Sequence, residues 1–444
     1  MIVSRINSTY RERIEMQISV KNIAKILEAG LDIEGLTVIA GYNNMGKSTL
    51  LKAIYTVFNT LRDSNKKILT VLKRSINESL STKESYFDEN GYGLLPRELL
   101  STIAEKVNGN LNEFISGKKD NYDLFVKLFK ESIEKYKEYW SDYYIEIEIE
   151  RIYSDDFIRP LYNNIVNICS RDKESVLKYI GEMYIRNVFK GQLNSLHGIS
   201  GASITVGSET ENYFMSISEN KIKEMYYTEN TEPSVFYIPA YNMLDMLNSA
   251  LAPRRVYSPE YDIYSMLMED IKEPTYEEYE ESANSTNLIK EIFNEVIHGK
   301  LEKQPSGNLF FKDGDLDDFV NIGNVASGMK NFLIIQTLIE KGKLKRNSIL
   351  LIDEPETNLH PEWHLKFAEI LVLMYKNMGI RSIVNSHSPY FIRAIEVKMA
   401  DHGIKDKGRY YMLSESGKGV FKTQNVTAET DKIYEALYRP LEYL

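Results

Sequence analysis

Apolar and polar positions alternate through "RIEMQISV" (13–20), the period-two pattern of a strand with one buried face. "LTVIA" (36–40) is a continuous β-rich apolar run and predicts a strand buried on both faces. In "KSTLLKAIYTVFNTLRD" the apolar positions fall at helical spacing. The first 60 residues therefore read as alternating strand and helix. From 62 to 190 the pattern is helical and charged, as in "YDLFVKLFKESIEKYKEYWSDYY" and "ESVLKYIGEMYIRNVFK". No heptad is sustained, so a helical insertion is expected and not a long coiled coil. "SITVGSETENYFMSISENKIKEMYY", beginning at 203, predicts strands split by polar turns, an antiparallel meander, and "PSVFYIPAY" (233–241) a further strand. Residues 241–320 read as a helical lobe whose acidic stretch 271–286 is an exposed loop.

The last third has the sharpest patterning. "NVASGMKNFLIIQTLIEKG" (324–342) is a loop leading into an apolar helix. "NSILLIDEPETNLHPEW" (347–363) is a buried strand ending in two carboxylates. "HLKFAEILVLMYKNMG" (364–379) is an amphipathic helix stopped by Gly379. "RSIVNSHSPYF" (381–391) is a strand ending in His387, and "GRYYMLSESGKGVFKTQNV" (408–426) a closing hairpin. The expected organisation is five segments: 1–61, 62–190, 191–240, 241–320 and 321–444.

Composition narrows the classes. The chain has 444 residues, 43% apolar and 27% charged, which places it among ordinary globular proteins with one large core or a few smaller ones. A formal charge of −10 excludes a protein that coats nucleic acid through bulk positive charge. DNA contact would need a local patch such as "KGKLKR" (341–346) or "PRR" (253–255), and each reads first as a solvated turn. The one cysteine, Cys169, makes no internal disulfide and no Cys-x-x-Cys metal hook. The amino terminus is too polar for a signal peptide, and no run approaches the roughly 18 apolar residues of a membrane span. The expectation is a cytoplasmic protein with no membrane partner.

Three stretches carry chemistry. "GYNNMGKST" (41–49) matches the phosphate-loop pattern, Gly, four free positions, Gly-Lys-Ser/Thr, between a strand and a helix. Gly41 and Gly46 let the backbone wrap phosphates with its N–H groups inward, and Asn43, Asn44 and Thr49 belong to the same cradle. Lys47 would reach the β- and γ-phosphates and Ser48 would ligate Mg²⁺. "SILLIDEPE" ends in Asp353–Glu354, two carboxylates that are costly at the end of a buried strand unless partnered. A Mg²⁺–nucleotide neighbour resolves that conflict, with Asp353 on the metal and Glu354 polarising the attacking water. His387 ends the next strand, where a γ-phosphate contact would sit at the carboxyl edge of a parallel sheet.

The order "GYNNMGKST", "ASGMKNF", "LLIDEPETNLHPEW", "NSHSPY" resembles an ABC-type ATPase head of the SMC/RecF/OLD branch of AAA-family ATPases. Within that branch "TNLHP", with "SHSPYFIRAIEV", is similar to the stand-alone ATPases of bacterial anti-phage systems such as the Septu and PARIS ATPase subunits. The specific matches cover residues 13–55 and 321–400. The resemblance implies an α/β fold, a mixed sheet with a parallel core and an antiparallel meander, carrying a large helical insertion. It implies that Ser327 and Gly328 form the signature that contacts ATP on another subunit, and that Glu356, Thr357 and Asn358 cross the interface of a homodimer or higher homo-oligomer. Ala326 stands where the family's signature usually has Leu, and no glutamine is assigned to the lobe-linking role, since Gln192 precedes the meander. It further implies ATP and Mg²⁺ as ligands and a separate effector, such as a nuclease, as partner. Residues 388–444 contain no Asp-x-Asp cluster, so no Toprim nuclease is expected in this chain. A RecF-type repair or chromosome-maintenance ATPase, with DNA as partner, is the alternative.

Overall fold

The computed structural model describes residues 16–81, 97–116, 121–137, 152–196, 198, 201–208, 212–228, 234–247, 256–270, 287–305, 307–417 and 419–439. The acidic 271–286 stretch and "PRR" (253–255) lie outside them. The chain divides into two compact units, residues 1–62 with 180–444, and residues 63–179.

The strands are β1 (Met16–Ile23), β2 (Ile26–Ile33), β3 (Leu36–Ala40), β4 (Ala202–Gly207), β5 (Asn212–Ser218), β6 (Lys221–Tyr227), β7 (Val235–Ile238), β8 (Gly299–Lys303), β9 (Leu309–Asp313), β10 (Phe319–Asn321), β11 (Ile349–Asp353), β12 (Arg381–Ser386), β13 (Gly408–Gly417) and β14 (Val420–Asn425). The helices are α1 (Lys47–Leu61), α2 (Ser64–Ser81), α3 (Arg97–Gly109), α4 (Leu111–Ser116), α5 (Tyr122–Lys137), α6 (Asp155–Cys169), α7 (Lys173–Phe189), α8 (Leu244–Leu247), α9 (Pro259–Met268), α10 (Asn287–Val296), α11 (Ser327–Glu340), α12 (Pro361–Met378), α13 (Pro389–Asp401) and α14 (Asp431–Tyr438).

Two expectations change here. Three strands, not two, lead to the Gly41–Gly46 loop. In β2 the residues Ala29, Leu31 and Ile33 are buried, but Gly30 and Asp32 between them weaken the apolar signal. The 241–320 segment holds α8, α9 and α10, and also the antiparallel sheet β10-β9-β8. Its strands are five residues or shorter, so Leu301, Leu309 and Phe311 turn inward without a period long enough to read.

The first unit is built on an eleven-stranded sheet in the order β6-β5-β4-β1-β2-β14-β13-β3-β12-β11-β7. The run β13, β3, β12, β11, β7 is parallel, and β6, β5, β4, β1, β2 is antiparallel. The mixed α/β architecture with parallel core and meander is therefore as expected. The hairpin β13–β14 lies between β2 and β3, although only two residues connect those strands. Glu34 in that connection is buried and paired with Lys407 and Arg409 at the start of β13.

Register assigns the faces of the parallel half. Leu36, Val38, Ala40, Phe236, Ile238, Leu350, Ile352 and Val384 join one core with Phe332, Phe367, Leu371 and Phe391 of α11, α12 and α13. The intervening positions occupy the opposite face, against which α1 packs. Asp353 and Asn385 are directly opposed in register, so both belong to the α1 face. That face is where a polar site can exist beside an intact apolar core.

The second unit is helical: α2 to α6 and the first turns of α7, around Leu72, Ile76, Leu99, Ile103, Phe125, Phe129 and Ile165. Cys169 closes α6, and burial pushes its thiol up to about 11, so it stays a thiol. Among the described residues no helix is long and apolar enough to cross a membrane.

Candidate functional site

Parallel strands end together at one edge, and three chain segments converge there. Ala40 pairs with Ser386 and Asp353 pairs with Asn385, so the loop after β3, the His387 corner and the Glu354 corner emerge side by side.

The loop 41–46 turns tightly. Asn44 (φ 67°) and Gly46 (φ 98°) occupy the left-handed region, and a Cβ on Gly46 would come within 2.8 Å of Ile26 Cδ1. Gly46 caps α1 with no side-chain hydrogen bond, which leaves the first-turn N–H groups for an anion. Lys47 is 4% exposed, and its ammonium donates to the carbonyls of Gly41 (2.7 Å) and Tyr42 (2.9 Å). Burial lowers its pKa, while Glu354, Asp353 and Glu356 pull it back up. That opposition places all three carboxylates near a lysine some 300 residues away in sequence. A cavity of ≈ 380 Å³ lies over the loop, within the size range of small-ligand sites. Asn43, Asn44, Gly46, Lys47, Ser48, Thr49 and Glu354 line it, so the structure brings the loop and one Asp353–Glu354 carboxylate to a single space.

Asp353 is buried, with Oδ1 accepting from Asn385 Nδ2 at 3.1 Å and Oδ2 from the Tyr237 hydroxyl at 3.3 Å. Glu354 has φ 49°, and its N–H donates to the Asn385 carbonyl at 3.0 Å. A left-handed glutamate costs on the order of 1–2 kcal/mol. Adjacent carboxylates thereby leave the strand in different directions, Asp353 on the α1 face and Glu354 into the cavity. Glu354 Oε1 lies 3.1 Å from His387 Nδ1.

Behind His387 sits a carboxylate that the strand-end motif alone does not flag as structural. Glu356 Oε1 accepts from Ser386 Oγ at 2.5 Å and from the His387 N–H at 3.3 Å, and lies 4.0 Å from His387 Nδ1. Burial holds its carboxyl above the usual carboxylate range. The pair spans β12 and the loop after β11, so only strand register brings it together.

Ser327, Gly328 and Asn358 do not line the cavity. They form a second cluster: a Cβ on Gly328 would meet the Asn358 carbonyl at 2.6 Å, and Asn358 (φ 64°) and Ser327 are exposed.

Three residues that line the cavity escaped the sequence reading. Lys25, in the β1–β2 turn, donates to Asn44 Oδ1 (2.7 Å) and to its carbonyl (3.2 Å), and lines the cavity with Ala24 and Leu196. A lone lysine between two strands carries no motif, so nothing in the sequence singles it out.

The donor set fits Mg²⁺, which takes hard oxygen ligands, keeps several waters and needs only one or two protein groups besides phosphate oxygens. Asp353 offers a buried carboxylate and Ser48 a hydroxyl on the first turn of α1.

A family model described as "AAA ATPase domain" matches residues 16–392. No curated protein matches the chain. Among solved structures, an SMC head bound to the C-winged helix domain of ScpA is similar at 11% identity, covering 94% of this chain and 99% of that one, with TM-score 0.42. The SMC head domain from Thermotoga maritima is similar at 9% identity, covering 93% and 99%, with TM-score 0.34. RecF with ATP, from the RecFOR pathway, is similar at 11% identity, covering 93% and 100%, with TM-score 0.36.

Proposed function

This chain belongs to the AAA ATPase domain family and is an ATPase, and we propose that it works as an ATP-driven switch whose composite sites form between two copies. The cradle 41–49 would bind the triphosphate through its backbone N–H groups, with Lys47 leaving its loop carbonyls for the β- and γ-phosphates. Ser48 and Asp353 would hold Mg²⁺, which when bound neutralises charge on the phosphate oxygens. Glu354 would polarise the attacking water, and His387, held by Glu354 and Glu356, would report the γ-phosphate. The observation that carries the pairing is the separation of Ser327, Gly328 and Asn358 from their own cavity: a signature cluster whose Ser327 and Asn358 are exposed is suited to a nucleotide on a second copy. Closure on ATP and reopening on hydrolysis follow.

The motif resemblance extends this to a bacterial anti-phage switch that controls a separate effector such as a nuclease. Two measurements test it. ATP turnover of the wild type should exceed that of Lys47→Ala and Glu354→Gln by about 10²–10³, and native mass should double on ATP in Glu354→Gln. Equal turnover in all three proteins defeats the site assignment, and a monomer with ATP defeats the pairing.

The RecF-like reading, with DNA as partner, needs a free basic patch. Within "KGKLKR" Lys341 donates to the carbonyls of Leu267 and Glu269, and Lys343 pairs with the Glu269 carboxylate. These two cations tether the lobe, which favours the switch reading over DNA contact at that cluster. Strongly salt-dependent DNA binding would reverse the preference.

A further inference from the structure

The metal-ligand candidate Asp353 has buried partners of its own. Tyr237 pairs in register with Leu351, two residues before Asp353, so it lies on the same face of the sheet, and Asn385 lies directly opposite Asp353. The Tyr237 hydroxyl donates to Oδ2 at 3.3 Å and Asn385 Nδ2 to Oδ1 at 3.1 Å. Tyr237 is 2% exposed and Asn385 is fully buried. Each carboxylate oxygen has two lone pairs. One donor on each therefore leaves one acceptor direction on each for a metal, and the two donors together determine which way those directions point.

The tyrosine is itself held. Its ring lies 5.9 Å from that of Tyr55 on α1. The Tyr55 hydroxyl donates to Asp262 Oδ2 at 2.6 Å, and Tyr184 donates to the same oxygen at 3.0 Å. Tyr55 belongs to the helix that begins with Lys47 and Ser48.

We propose that Tyr237, acting with Asn385, is a positioning residue that aims the Asp353 carboxylate at Mg²⁺ and so sets the metal affinity of the nucleotide site while leaving metal-free nucleotide affinity alone. The inference rests on the ATP–Mg²⁺ reading above. Outer partners of metal ligands change metal affinity by about 10–100-fold when removed, whereas a hydroxyl that only satisfied its own burial would leave that affinity unmoved.

The test uses the full chain with a non-hydrolysable ATP analogue. Mn²⁺ binding is read by electron paramagnetic resonance, and analogue binding is read separately in chelator. Tyr237→Phe should raise the Mn²⁺ midpoint about tenfold or more while chelator binding stays within about twofold. Tyr55→Phe, which deletes a neighbouring buried hydroxyl that does not touch Asp353, should leave the midpoint in place. An unmoved midpoint in folded Tyr237→Phe, or equal shifts in both variants, overturns the proposal. Should Tyr237→Phe not fold, Asn385→Ser is read by the same titration with the same two outcomes. Wild type that binds no analogue with or without metal overturns the site reading itself, and the proposal with it. Normal wild-type binding with unmoved variants overturns the proposal alone.

Discussion

Replacing Glu356 separates its acceptor role from its charge. Its Oε1 takes hydrogen bonds from Ser386 Oγ, which is fully buried, and from the His387 amide, while Oε2 is buried with no partner among the described residues. Glu356→Ala strands two donors at about 1–3 kcal/mol each, or about 2–5 kcal/mol after allowing for the carboxylate desolvation that disappears with the side chain. At roughly 2–4 °C per kcal/mol for a large domain, melting should fall by about 4–20 °C. Glu356→Gln keeps the Oε1 acceptor and should stay within about 1 kcal/mol of wild type. The charge adds a pH signature. A carboxyl whose folded pKa stands above its unfolded one contributes fully at low pH, and that contribution is lost as pH rises through the folded value. Burial raises Glu356 in this way, so Glu356→Gln should gain on wild type as pH goes from about 5 to about 8, a window that starts near ordinary carboxyl values. Scanning calorimetry of the three proteins at both pH values is the assay. Equal losses in Ala and Gln variants, or a Gln-minus-Glu difference that is flat or falling with pH, would refute the assignment of acceptor and charge.

Three other outcomes follow from particular contacts. Gly46→Ala forces a Cβ into Ile26 at 2.8 Å on a φ of 98°, and fluorescent-ATP binding should weaken at least about tenfold, the cost of one to two kcal/mol of left-handed strain. Gly328→Val collides with the Asn358 carbonyl at 2.6 Å; the variant should still bind ATP but lose ATP-dependent doubling of mass, read by light scattering. Glu34→Ala removes the carboxylate shared by Lys407 and Arg409, whose own side chains stay partly exposed, and chemical denaturation should show a loss of about 1–2 kcal/mol, between an exposed pair and a fully buried one.

Legibility in the sequence followed locality. Lys47 and Ser48 were readable because a phosphate cradle fixes their spacing to Gly41 and Gly46 within one loop. Asp353 was readable because a charge ending five buried residues is costly, and β11 is buried along its whole length. Tyr237 was not, since an aromatic residue in "VFYI" satisfies a core strand equally well, and its hydroxyl acquires a meaning only when β7 pairs with β11. Glu356 with Ser386, and Lys25 with Asn44, are likewise products of register and turn packing. The strands β8, β9 and β10 were too short for a period to stand out. The fold class was legible, but the lodging of β13–β14 between β2 and β3 was not, because local patterning defines elements and is silent on their neighbours.

That lodging has a consequence for the life of the molecule. The strand that carries the phosphate loop is flanked by β12 and β13, both made more than 300 residues after it. At roughly 5–20 residues per second, about 20–70 s separate the emergence of β3 from that of its neighbours. Throughout that interval the loop lacks the strands that flank β3, and for most of it the carboxylates that end β11 are not yet made. A ligand that needs the assembled sheet therefore stabilises only chains in which these strands have met. Occupancy of the cradle would thereby report that β12 and β13 have reached β3, and not merely that the loop has been made.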